Sequence, residues 1–140
     1  YDPRIPLPYV PLSDGVGEVV ETGTAVTRVA VGDRVAPAFS PTWIAGPPDY
    51  AAVRSTRGGR VAGLLAEEIV LPEGELVKVP RSLSPAEAAC LPCAGVTAWS
   101  AVVTFGRVGP GSTVLVLDSG GVAVFALQIA RMAGARIHGE

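Results

Sequence analysis

The clearest chemical signal in the chain is the six-residue stretch Asp118-Ser119-Gly120-Gly121-Val122-Ala123, set between an apolar run and an apolar helical stripe. Against the fingerprint G-x-G-x-x-G/A, Gly120 fills the second glycine, where a missing side chain lets the backbone approach a pyrophosphate. Ala123 fills the third, where a small residue lets a helix pack on a strand. Ser119, Gly121 and Val122 complete a turn whose free N–H groups and positive helix end would face phosphates. Asp118 replaces the first glycine. An aspartate adopts such turn geometry, but it brings a carboxylate close to where a dianionic pyrophosphate would lie. A plainer reading, in which Gly120-Gly121 merely turns the chain from strand to helix, stands beside this one.

Other reactive side chains are few. Cys90-Leu91-Pro92-Cys93 has a spacing that a helix N-terminus could make reactive by stabilising a thiolate. The strand pattern expected around a thioredoxin-like site is missing, so both cysteines read as buried small hydrophobes. His138, the single histidine, falls at a strand end with no sequence partner to make it a base or ligand, and reads as a structural or edge residue.

The turn needs a strand before it and a helix after it. Thr113 to Leu117 is apolar on both faces, as in a parallel strand covered on both sides. Val122, Phe125, Ala126, Ile129, Ala130 and Ala133 recur with helical spacing, and Gln128 and Arg131 take the other face. Gly134 is placed to end the helix, and Ala135-Arg136-Ile137-His138 begins a second strand. Upstream, Ser84-Pro85-Ala86-Glu87 predicts a capping box with proline at the first helical position. Pro92 interrupts that helix, and a second one runs from about Gly95 to Phe105 and ends at Gly106.

The first half reads as strands and glycine turns. Pro3, Pro6 and Pro8 make an extended lead-in. Gly15 and Gly17 open a strand through Val19 and Val20, and Gly23 turns it. A second apolar segment follows at Val26, Val29 and Val31, and Gly32-Asp33 leads into Arg34-Val35-Ala36. Residues 62–70 and 75–79 read as further strands, although the Leu64–Glu68 stretch could pass for a helix. This spacing predicts a small antiparallel barrel. Residues 41–59, with Trp43 and Tyr50, form a long proline- and glycine-rich loop that reads as a substrate-pocket wall or an idle excursion.

At 140 residues the chain is long enough for one domain and short for two. Hydrophobic residues make up 49% and charged ones 17%, which excludes a disordered polymer. The net charge of −2 comes without a basic run, so nothing asks for nucleic acid or an anionic membrane. No apolar run approaches the roughly 18 residues of a spanning helix and no signal peptide is present, so a cytoplasmic location is expected. A start at Tyr1 and an end partway through a strand suggest a piece of something longer.

The order of these features resembles the medium-chain dehydrogenase/reductase superfamily, and more narrowly the quinone-oxidoreductase-like members of the zinc-type alcohol dehydrogenase family. The resemblance rests on PLSDGVGEVVETGTAVTRVAVGDRV (Pro11 to Val35), the Ser84 capped helix, LPCAGVTAWSAVV, and PGSTVLVLDSGGVAVFALQIARMAGARI. It implies a two-part α/β fold: a partial GroES-like antiparallel β-barrel over 1–83, connecting helices over 84–110, and over 111–140 the first β-α-β of a Rossmann doubly wound parallel sheet. It also implies an NAD or NADP cofactor and a carbonyl, enone or quinone substrate. Thr97 falls where the family places a threonine beside the nicotinamide, and Ser119, Gly120, Gly121, Val122 and Ala123 would line the pyrophosphate turn. The family's zinc uses a histidine in G-H-E-G-x-G, where this chain has Leu12-Ser13-Asp14-Gly15-Val16-Gly17. Cys93-Ala94-Gly95-Val96-Thr97 matches a second element. A neutral serine is a poor zinc ligand, so no zinc is expected. The residue choosing NAD or NADP lies about 20 residues past the glycines; Glu140 is near that point and the preference stays open.

Two functions follow as expectations. One is a portion of an NAD(P)-dependent oxidoreductase, homodimeric at full length, whose 140 residues alone are inactive. The other is a non-catalytic homologue that binds a nucleotide or another chain, which Asp118 and the missing remainder of barrel and sheet favour. Catalytic residues are not assigned.

Overall fold

A computed structural model describes Ile5, residues 7–43 and residues 45–139. Pro3, Pro6 and Glu140 lie outside the described residues. The chain divides into two compact units, Tyr1–Pro92 and Cys93–Glu140. No helix among the described residues is long and apolar enough to cross a membrane.

In the first unit β1 (Gly17–Glu18), β2 (Arg34–Pro37) and β3 (Leu76–Lys78) form an antiparallel sheet in that order. Val35 sits opposite both Gly17 and Lys78, and Ala36 faces Val77. Val35 and Ala36 are buried and anchor the small core. Among the described residues the strands do not close into a barrel. Two expected strands are absent. Residues 26–31 are held by other bonds: the Glu73 carboxylate accepts the Thr27 and Arg28 N–H groups, and the Ala30 N–H goes to Asp33 Oδ2. Within residues 62–70 the donors of residues 63–65 go to an irregular clasp, among them Gly63 N–H to Val10 C=O and Leu65 N–H to Pro11 C=O, and not to a strand ladder. The loop 41–59 carries one short helix, α1 (Tyr50–Arg54), whose first turn is capped by Asp49 accepting from the Ala52 N–H.

The predicted capping box is present. Ser84 Oγ accepts the Glu87 N–H, Glu87 accepts the Ser84 N–H, and Pro85 opens α2 (Pro85–Ala89). α2 ends at Ala89 with Cys90 as its C-cap, before Pro92, which lies in the wide turn that follows. Wide π-type turns at Leu91–Gly95 and Ser100–Phe105 flank α3 (Val96–Trp99). The Gly106 N–H bonds to the Ala101 carbonyl, and a Cβ on Gly106 would lie 2.6 Å from that oxygen, which is why the helical run ends on glycine.

In the second unit β4 (Thr113–Val116) pairs in parallel with β5 (Arg136–Gly139), and α4 (Gly121–Met132) connects them. Ala133 caps α4 and Gly134 follows at φ +79. The Ala135 N–H bonds to Ala130 and the Gly134 N–H to Arg131, the two bonds of a Schellman motif. The covered face of α4 follows the predicted stripe at Phe125, Ala126, Ile129, Ala130 and Ala133, with Ala130 fully buried; at the N-terminal end Ala123 is buried in place of Val122, which is exposed. Small residues take the buried positions because they let the helix approach α3 closely. β4 is not covered on both sides in this chain: Val116 is buried, whereas Leu115 is 61% exposed, as is Leu117 just past the strand at 66%.

Candidate functional site

The turn between β4 and α4 gathers five of the six residues singled out above. Asp118 leaves the strand at φ +93, a left-handed conformation that side chains rarely adopt. It therefore takes the backbone role of the fingerprint's first glycine without being one. Its Oδ1 accepts the Ser119 N–H at 2.6 Å. Gly120 stands at the N-cap of α4 in extended geometry, and no side chain caps the helix. The opening N–H groups of α4 are thus left without a side-chain acceptor, as a phosphate-binding helix start requires.

At the next position the helix start packs closely: a Cβ built on Gly121 would lie 3.4 Å from the Ala94 Cβ, in van der Waals contact. Ala123 is buried, consistent with close helix packing, and Val122 is solvent-exposed beside it. Thr97 is exposed on α3, within the same unit as the turn. An apolar groove of about 480 Å³ runs along β4 from Val114 to Asp118 and is bounded by Val102, Val108 and Ala126. The uncapped N–H groups at the start of α4 are donors of the kind a phosphate takes, and the Asp118 carboxylate beside them is a charge of the same sign as a phosphate.

The first unit holds the Leu12-Ser13-Asp14 segment. Ser13 Oγ donates to Asp14 Oδ2 at 2.8 Å. Leu12 has φ +74, and the carbonyls of residues 10–12 accept from the N–H groups of residues 63–65. Among the described residues no three His, Cys, Asp or Glu side chains gather as metal ligands. Ser13 offers a neutral hydroxyl that is already engaged with Asp14, a donor set that does not fit zinc.

Several single residues depart from expectation. Cys90 is exposed rather than buried: it caps the C-terminus of α2, with its thiol directed to the Ala86 carbonyl at 3.4 Å. Cys93 is half-buried. His138 lies in β5 opposite Leu115, exposed to solvent. Sequence reasoning missed Arg57, which is 5% exposed and paired with Glu75 across the first unit; its burial lowers the guanidinium pKa. Nothing in the local sequence marks it, because its partner is brought by the fold.

The alcohol dehydrogenase GroES-like domain family matches residues 1–81. A zinc-type alcohol dehydrogenase-like protein of Schizosaccharomyces pombe is 43% identical over 98% of this chain and 40% of its own length. Among solved structures, a candidate alcohol dehydrogenase of Sinorhizobium meliloti 1021 superposes with a TM-score of 0.89 at 46% identity, over 96% of this chain and 40% of that one. An NAD-dependent alcohol dehydrogenase gives 0.82 at 37% identity, over 99% and 42%. A quinone oxidoreductase of Pseudomonas syringae gives 0.71 at 34% identity, over 95% and 35%. The chain spans about 40% of the length of this curated relative.

Proposed function

Because the chain belongs to the medium-chain dehydrogenase/reductase superfamily, with an alcohol dehydrogenase GroES-like domain over residues 1–81, we propose that it is part of an NAD(P)-dependent oxidoreductase. Its substrate class is a carbonyl, enone or quinone, or the corresponding alcohol, and its reaction is zinc-independent. The observation that carries this reading is the uncapped start of α4 behind Gly120 and Gly121.

The nicotinamide cofactor, when bound, supplies or accepts the hydride. This chain's residues hold and orient it. The N–H groups of Gly121, Val122 and Ala123 take the pyrophosphate, Ser119 borders it, and Thr97 meets the nicotinamide side. The substrate part is assigned to residues 1–83, the connecting helices to 84–110 and the nucleotide part to 111–140. The parent protein is read as a cytoplasmic homodimer acting on small molecules, with neither nucleic acid nor membrane as a partner.

The test is made on the full-length protein. Titration of nicotinamide fluorescence with NADH and NADPH, followed by steady-state turnover with a quinone, an enal and simple alcohols, is expected to give saturable binding and turnover. Absence of both would overturn the reading. Binding without turnover would favour the alternative, a non-catalytic nucleotide- or protein-binding homologue, for which the Asp118 carboxylate in the phosphate turn is the specific support.

A further inference from the structure

We draw no further inference here: the strongest candidate, the apolar cleft of about 740 Å³ in the first unit that is lined by residues 15–23 and 66–71, with Glu18, Glu21, Glu67 and Glu68 in its walls, is an unpartnered face, and nothing in the structure shows what covers it.

Discussion

The Asp118 carboxylate folds over its own turn: Oδ1 accepts the Ser119 N–H at 2.6 Å, and a Cβ built on Gly120 would come within 3.1 Å of Oδ2. One side chain thus occupies the space next to the helix start where the proposed pyrophosphate would lie. The backbone beneath it, at φ +93, is already the one that a glycine would adopt.

Asp118→Gly is therefore expected to tighten NADH and NADPH binding by the full-length protein about tenfold, near 1.4 kcal/mol, by removing a like charge without disturbing the turn. Asp118→Asn should recover part of that gain, because it keeps a residue that tolerates left-handed φ and loses the charge. Asp118→Ala should instead lower folding stability by about 1 kcal/mol. Fluorescence titrations of the three variants check this, and unchanged or weaker binding in Asp118→Gly would show that the carboxylate does not oppose the cofactor.

Arg57 and Glu75 hold the 56–61 turn to the start of β3, and the Arg57 N–H adds a bond to the Phe39 carbonyl at 3.0 Å. Breaking a buried pair leaves a buried charge uncompensated, so Arg57→Ala should cost about 3 kcal/mol in chemical denaturation. The double change Arg57→Met with Glu75→Leu should recover most of it, because no charge is then left behind. Equal losses in the single and double variants would mean that packing, not charge, is what Arg57 supplies.

Acid should loosen the first unit in a defined window. The Lys78 ammonium and then the Ala30 N–H hold the Asp33 carboxyl below its ordinary range; the N–H groups of Arg28 and Thr27 do the same for Glu73, and the Ser84 hydroxyl for Glu87. Each group has a folded pKa below its unfolded one. The stability it contributes is present in full above the unfolded values of about 4 and drains away as pH falls through the lower folded values. Melting temperature followed from pH 7 to pH 3 should stay level and then fall below about pH 4.5, less steeply in Glu73→Gln. A curve that is flat to pH 3 would contradict the assignment.

Expressed alone, the 140 residues should oxidise neither NADH nor NADPH with a quinone or enal acceptor. Leu115 on β4 and Leu117 just past its end stand exposed, and a parallel sheet with an open apolar face invites association. Light scattering should rise with concentration, and steady turnover by this chain would refute the expectation.

What the sequence by itself determined lies within a few residues of each feature. The Ser84–Glu87 capping box, the helix start at Pro85 and the Gly134 terminus of α4 rest on partners one turn away; the succession of strand, glycine turn, helix and parallel strand rests on hydrophobic periodicity within each segment, and all are present. The glycine turn was legible for the same reason. The tertiary structure decided the rest. Residues 26–31 and 62–70 have the composition of strands, yet Glu73 and the Pro11 carbonyl take their donors from a distance. Cys90 is exposed because α2 ends there, and Arg57 is buried because Glu75 meets it. Leu12 takes its left-handed φ of +74 where Gly58 and Gly63 approach its backbone from some 50 residues away. Local propensity is carried by neighbours in the chain, whereas hydrogen-bond satisfaction and burial are settled by whichever distant groups folding brings together.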